Sequence, residues 1–590
     1  MTTDQIILFS LFGAVFALLL WGRFRYDLVA FAALMAGVVL GVVEPEEAFS
    51  GFGHEATLVV ALVLVVSAGL VRSGAVYLIT RTMVDSARSL GMHITLMGAV
   101  GGVLSAFMNN VAALALLMPV DIQTARKAGR APGLSLMPLS FATILGGMAT
   151  LIGTPPNIII ASIRQDSLGQ SFRMFDFAPV GGIAAIAGLT FVALIGWRLI
   201  PARDDATFKA EDLSQYIAEL TVPEENDVIG KRISELLGTA EKADVAILGV
   251  IRDGKRRYGQ SRNLPLRAGD ALVLEATPDA LDEFRSTLNL GLAEAEREEK
   301  LRADGEGVEV IEVAVSASSR LNGRSAQSIG LDWRHRTVLL GISRQGKRIT
   351  SQLRQTVLKP GDILLLLVPR DTGAHVIDWL DVLPLADRGL AVTENSKVWL
   401  AIGLFASAVA VASFGLLYLP IALGLVVVAY VLAKIVPLAE LYTHIEWPVV
   451  VLLGSMIPLG SALEASGGTQ LIAGALVQVT DGLPAWVVLT ALMVVTMTLS
   501  DVLNNTATAI VAAPVAIQMA QSLNVSPDPF LMAVAVAASS AFLTPIGHKN
   551  NTLILGPGGY SFGDYWRMGL PLEIIVIAVS IPAILVFWPL

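Results

Sequence analysis

The chain contains no cysteine. Disulfides and every cysteine-ligated metal centre are therefore excluded. Charge is also scarce. Only 15% of the 590 residues are Asp, Glu, Lys or Arg, against about 25% in soluble domains. The six histidines form no cluster with metal-ligand spacing. A net charge of -9 argues against a nucleic-acid partner. The opening "MTTDQIILFSLFGAVFALLLWGRFRYD" has no basic residues before its apolar run and no clear cleavage site, so it reads as a retained first span. What fills the gap is apolar surface: 54% of residues are hydrophobic and the mean hydropathy is +0.66.

The shortage of charge is uneven. Residues 1–203 and 397–590 are lipid-like, whereas roughly 203–396 carry most of the charge. The pattern is that of a multi-pass helical membrane protein with a polar insert. A helix needs about 20 apolar residues to cross the hydrocarbon. Expected spans are 5–21, 28–43, 56–71, 134–163 and 178–199, then 397–417, 420–437, 447–463, 529–556 and 568–588. Two further apolar stretches, 94–122 and 484–521, are each interrupted near the middle by Asn-Asn. Arg23, Arg25, Arg72, Arg81, Arg88, Arg126, Lys127, Arg130, Arg198 and Arg203 all fall in the cytoplasm only if 94–122 enters and leaves on one side. That makes it a re-entrant hairpin, leaves the insert cytoplasmic, and gives the second half the opposite sense.

The halves also match residue by residue. "LSAFMNNVAALALLMPVDIQ" (104–123) aligns without a gap on "LSDVLNNTATAIVAAPVAIQ" (499–518), and "GGMATLIGTPPNIIIA" (146–161) aligns on "SAFLTPIGHKNNTLIL" (540–555). The expected fold class is thus polytopic α-helical, with two inverted-topology repeats of about five spans plus one hairpin each. Such repeats, with broken helices, mark secondary transporters. In hydrocarbon, non-helical backbone survives only around a cavity or site. Each half offers two breaks: an Asn-Asn tip, and "IGTPPN" or "IGHKNN". Free carbonyls, amide oxygens and serine hydroxyls are hard donors suited to an alkali cation. Freed N–H groups at the start of a half-helix suit an anion.

At these residues the chain resembles the divalent anion:sodium symporter family of the wider ion transporter superfamily. The hairpin tips read Asn109-Asn110-Val111 and Asn504-Asn505-Thr506; the loops read Thr154-Pro155-Pro156-Asn157 and His548-Lys549-Asn550-Asn551. By position, the resemblance implies one Na⁺ near Ser105, Asn110 and Gly153, and a second near Ser500, Asn505 and Gly547. Substrate would touch Asn109, Asn110, Val111, Thr154, Pro155, Asn504, Asn505, Thr506 and Lys549. It further implies a homodimer and an elevator motion, with 76–90 and 466–481 as interfacial linking helices. Two departures stand out. Val111 replaces a hydroxyl residue. Lys549, costly near the midplane, would pair with a dianion or with Asp501, or snorkel to the interface. Asp501 itself is a candidate coupling residue.

Residues 207–290 and 306–385 repeat each other. "ILGVIRDGKRRYGQSRNLPLRAGDALVLEATPD" (247–279) aligns without a gap on "LLGISRQGKRITSQLRQTVLKPGDILLLLVPRD" (339–371). Short β-rich runs end in Asp253-Gly254 and Gln345-Gly346, then Gly269-Asp270 and Gly361-Asp362. These resemble two tandem TrkA C-terminal (RCK-C) domains, small α/β modules, which implies ligand sensing or dimer contact. The insert has no G-x-G-x-x-G nucleotide motif.

The expected function is Na⁺-coupled import of a divalent anion, sulfate or a small dicarboxylate, across the cytoplasmic membrane, with no organic cofactor. A Na⁺/H⁺-coupled antiporter is the alternative within transport. A potassium channel lacks its filter motif here. An intramembrane enzyme lacks a nucleophile–base pair or metal cluster at mid-depth.

Overall fold

The structure is a computed structural model of the whole chain. It describes all residues except 22–23, 75–87, 202–216, 244, 253–254, 259–263, 276–277, 293–307, 317–318, 332–336, 345–346, 350–352, 354, 370–372, 386–396, 480–481 and 504. The chain divides into two compact units. One comprises residues 1–202, 388–551 and 561–590, the other 203–387 with 552–560.

The first unit is helical. Its first half runs through Thr3–Trp21, Tyr26–Val39, Glu55–Arg72, Leu90–Phe107, Asn110–Lys127, Gly133–Gly147, Pro155–Leu168 and Ala178–Leu194. Its second half runs through Val398–Ser413, Leu419–Leu432, Trp447–Ala465, Gly468–Val479, Ala485–Ser500, Asn505–Ser522, Pro527–Ser539, Lys549–Leu555 and Tyr565–Phe587. Among the described residues, four stretches are long and apolar enough to cross a membrane: Ser50–Arg72, Leu90–Phe107, Trp447–Ala465 and Phe562–Phe587. Eight shorter apolar helices accompany them.

Local chemistry explains the interruptions. The expected span 134–163 is two helices separated by turns at 148–154, and Pro155, which has no N–H to lose, opens the second. The expected span 529–556 is likewise two helices, Pro527–Ser539 and Lys549–Leu555. The stretch expected at 94–122 is a helix pair, Leu90–Phe107 and Asn110–Lys127, longer at both ends than the apolar run, with Ser89 capping its start. Leu90–Phe107 is long enough to cross on its own, so length alone does not make it re-entrant. Its counterpart is Ala485–Ser500 with Asn505–Ser522. Pro119 and Pro514 stand at matching places in the second helices of the two pairs. The expected linking helix at 466–481 is Gly468–Val479. The one expected at 76–90 lies, up to residue 87, outside the described residues.

The second unit holds two five-stranded antiparallel sheets. The strands are β1 (Ile217–Thr221), β2 (Ala246–Arg252), β3 (Lys255–Tyr258), β4 (Ala271–Glu275) and β5 (Gly291–Leu292), then β6 (Val308–Val315), β7 (Val338–Arg344), β8 (Lys347–Ile349), β9 (Ile363–Pro369) and β10 (Val382–Pro384). The orders β3-β2-β4-β1-β5 and β8-β7-β9-β6-β10 are one topology used twice. Even the register shift recurs, between Ile247 and Gly249 and between Leu339 and Gly341. So does an ion pair: Arg252 grips Asp270 while donating to the Pro265 carbonyl, and Arg344 grips Asp362 while donating to the Val357 carbonyl, all at 2.7–2.8 Å. The hydrogen bond to Asp362 raises the Arg344 pKa. Gly269 and Gly361 precede these aspartates at φ +81° and +85°, a left-handed turn that favours glycine. Each sheet has its own apolar core. A further buried cluster joins Val273 and Ile251 of the first sheet to Val338, Leu340, Leu365 and Leu367 of the second. The two modules therefore pair with each other within one chain, and β9, "ILLLLVP", is apolar on both faces for that reason.

Candidate functional site

In the first half, the helix Leu90–Phe107 ends at Met108, whose backbone is extended. Asn109 then caps the next helix, its Oδ1 accepting from the Val111 N–H at 2.9 Å. Asn110 is the first residue of that helix and is buried. Its Oδ1 accepts from Ser105 Oγ at 2.7 Å. Its Nδ2 lies 3.4 Å from His548 Nε2, and its carbonyl accepts from Asn550 Nδ2 at 3.1 Å. Asn550 Nδ2 also donates to Thr143 Oγ1 at 2.9 Å. The amide can sit this close because residue 147 is glycine: a Cβ there would lie 2.4 Å from Asn110 Oδ1. The break at 148–154 is tied to the hairpin by Thr150. Its hydroxyl donates to the Ala106 carbonyl and accepts from the Gly153 N–H at 3.1 Å. Asn157 Nδ2 spans the Met148 and Thr150 carbonyls.

The second half repeats this frame. Thr544 donates to the Asp501 carbonyl and accepts from the Gly547 N–H at 3.0 Å. Asn551 Nδ2 spans the Ala541 and Thr544 carbonyls at 3.0 and 3.1 Å. A Cβ on Gly547 would lie 2.8 Å from the Asp501 carbonyl oxygen, so the two breaks touch there as well. The side chains do something else. Ser500 Oγ donates to the Ala538 carbonyl at 2.5 Å, and Asn505 Oδ1 accepts from the Thr506 N–H at 2.9 Å. Asp501 Oδ1 accepts from the Leu543 N–H at 2.8 Å. The rest of its carboxyl meets that of Glu573, on the helix Tyr565–Phe587. Asp501 Oδ2 and Glu573 Oε1, both buried, receive no hydrogen bond from a protein donor. A carboxylate carries only acceptors, so two of them side by side repel unless a proton or a cation lies between them.

Of the expected cation ligands, Ser105 and Asn110 are in direct contact, and Gly153 is stacked on Gly147 beneath them: a Cβ on Gly153 would lie 2.4 Å from the Gly147 carbonyl oxygen. Ser500 and Asn505 are engaged elsewhere and make no bond to each other. Thr154 is buried with an unpartnered hydroxyl, beside Pro155. Asn504 lies outside the described residues. Lys549 does not pair with Asp501, and its side chain keeps about a third of its surface exposed. Its ammonium is held by Glu446, which also accepts from Asn109 Nδ2 at 3.3 Å. Of the partners open to Lys549, Asp501 is thus not the one it meets; Asp501 lies beside Glu573 instead.

Glu446, Glu573, Thr143 and Asn550 are absent from the sequence-derived site. Glu573 was detectable, as a lone acid inside "PLEIIVIAVSIPAILVF". So was a third network, in which Asp121 Oδ1 lies 2.6 Å from His93 Nε2 and Oδ2 accepts from Ser135 Oγ at 2.6 Å, all three buried. It ties the first hairpin to the helix Gly133–Gly147 and lies outside the Asn110 cluster.

The Asn110 cluster thus consists of neutral oxygen and nitrogen donors. Asn550 Oδ1, within the cluster, and Thr154 Oγ1, one residue past Gly153, are buried without a hydrogen-bond partner. Among the described residues no three His, Asp or Glu side chains converge as a metal site. Neutral oxygens with spare lone pairs fit an alkali cation and not a transition metal.

The family model described as citrate transporter matches residues 16–529 and 484–590. An uncharacterized transporter of Synechocystis sp. is 32% identical over 93% of this chain and 92% of its own length. An uncharacterized transporter of Escherichia coli is 29% identical over the whole of both chains. Sodium/sulfate cotransporter 2 of Chlamydomonas reinhardtii is 28% identical over 58% of this chain and 40% of its own length. The chain belongs to the citrate transporter family, within the ion transporter superfamily: it is a multi-pass membrane transporter and not an enzyme.

Proposed function

We propose that the protein is a secondary transporter that couples a Na⁺ gradient to the import of a small di- or tricarboxylate or sulfate. The observation that carries this reading is the buried Asn110 cluster, where a hairpin tip and both loop breaks meet around Ser105, Asn110, Asn550 and His548. Na⁺ would be held by Ser105 Oγ, Asn110 Oδ1 and backbone oxygen near Gly153. Thr154 Oγ1 and Asn550 Oδ1, buried and unpartnered, support a ligand in that place. A second Na⁺ belongs to Ser500, Asn505 and Gly547. The substrate lies between the tips, against Asn109, Asn110, Val111, Asn504, Asn505, Thr506, Thr154 and Pro155, with Lys549 supplying positive charge. The cation beside it offsets substrate charge, so neither binds well alone.

The transport cycle is read as an elevator in a homodimer, built on inverted repeats whose hairpins enter from opposite sides of the cell membrane. The paired modules of the insert face the cytoplasm, resemble RCK-C domains and act as a sensor or a dimer contact. One observation favours a second reading. The Asp501–Glu573 contact is a place for a proton or a cation outside the Asn110 cluster, and it suits a Na⁺/H⁺-coupled antiporter.

The test is uptake of labelled citrate, succinate and sulfate by purified protein in liposomes, with and without an inward Na⁺ gradient. Na⁺-dependent accumulation of at least one anion is expected. Accumulation that ignores Na⁺ but follows a proton gradient selects the antiporter reading, and no accumulation of any of the three removes both.

A further inference from the structure

Glu446 stands just before the helix Trp447–Ala465, and its carboxylate is held by two side chains remote in sequence. Oε1 accepts from Asn109 Nδ2 at 3.3 Å. Oε2 accepts from Lys549 Nζ, and that ammonium lies 5.9 Å from the centre of the Tyr26 ring. The Lys549 and Glu446 side chains keep 35% and 32% of their surface exposed, so the pair is reachable by a dissolved ion. Asn109 and Lys549 are two of the donors that the proposed transport site offers to an anionic substrate.

We infer that Glu446 is an internal stand-in for the substrate: its carboxylate occupies Asn109 and Lys549 in the empty site and is displaced by the anionic group of the incoming molecule. This rests on the transport reading above. Three physical points carry it. A lysine set among apolar helices is costly unless paired, and Glu446 neutralises it. The bonds that Glu446 makes, one from an amide N–H and one from an ammonium, are those that a carboxylate or sulfate oxygen would make in its place. Finally, one ammonium cannot neutralise two anions at once, so an arriving anion and Glu446 repel each other at close range. Glu446 therefore sets a threshold. Only an anion that offers more contacts than one carboxylate, as a multivalent one does, displaces it.

The test uses the full-length protein with citrate, succinate and sulfate as probes. Anion affinity is read as the half-saturating concentration for thermal stabilisation in Na⁺-containing detergent solution, and again for uptake into liposomes. If the wild type responds to none of the three, the transport reading itself falls, and this inference falls with it. Given a wild-type response, Glu446→Gln lowers the half-saturating concentration about tenfold, because a like charge close to the substrate is removed. Lys549→Gln raises it, and in that background Glu446→Gln produces much less than its own effect. Glu446→Asp, one methylene shorter, falls between wild type and Glu446→Gln, and is the variant to read if the amide does not fold. Affinity left unchanged or weakened by Glu446→Gln, or an equal gain from it with and without Lys549, overturns the inference.

Discussion

The two halves of the membrane unit share a backbone frame and differ in what fills it. In both, a threonine hydroxyl ties the loop break to the hairpin carbonyl, a glycine N–H returns to that threonine, and an asparagine amide closes the turn. Around the first frame the side chains are neutral: Ser105 and Asn110 bond each other. Beside the second lie two charged pairs of different kinds, Asp501 with Glu573 and Lys549 with Glu446. The frame is dictated by the need to satisfy every polar backbone group at a break inside hydrocarbon, so it repeats. The side chains that fill it are under no such constraint, so they are free to diverge. A duplicated geometry thus carries neutral side chains on one side and charged ones on the other.

Seven substitutions test that comparison, in descending order of effect. Asn110→Ala removes the amide that links Ser105, His548 and the loop break, and Na⁺-dependent uptake in liposomes should fall to background while membrane insertion persists. Asn505→Ala should do the same; wild-type uptake there would reduce the second half to a scaffold. Next, Ala106→Asp places at the matching position of the first hairpin the acid that the second has at Asp501. A buried charge without a partner costs several kcal/mol, about 3 or more, so the melting temperature should drop sharply. Asp501→Ala, the reverse exchange, should cost less, about 1–2 kcal/mol for the stranded Leu543 N–H. Equal losses would mean that the Asp501–Glu573 contact is not specific to its half.

Thr150→Val and Thr544→Val each remove a hydroxyl that donates to a buried carbonyl, and each should lower stability by about 1–2 kcal/mol. The two values should agree, since the frames agree; a twofold disparity in calorimetry would break the equivalence. The smallest effect is expected from Val111→Thr, which gives the first tip the hydroxyl that the second has at Thr506. One hydrogen bond is worth about 1 kcal/mol, so the ratio of sulfate to citrate uptake should move severalfold with little change in stability.

Several of these features were readable in advance. The doubled asparagines and the "IGTPPN" and "IGHKNN" breaks are rare polar or proline-bearing interruptions in apolar runs, and apolar runs leave few explanations for them. The duplicated β-modules were equally plain, because turn signals and an ungapped match survive without any tertiary information. What Lys549 touches was not readable. Its partner lies 103 residues away, in a connection with no pattern of its own, and an ion pair between remote segments leaves no periodic trace. Nor was it apparent that the two asparagines of the first tip have different work. Only the helix boundary makes Asn109 a cap and Asn110 a buried amide bonded to Ser105.

The sequence by itself determined the membrane character, the internal duplication, the positions of the breaks and the insert with its two modules. Each is a matter of composition or local pattern, on which hydrophobicity and backbone chemistry act residue by residue. Only the tertiary structure decided that Asp501 faces Glu573, that Lys549 is answered by Glu446, and that the two insert modules bury a shared face within one chain. Those are pairings across long separations. Each depends on which surfaces meet once the helices and sheets are already formed, and packing settles that where pattern does not.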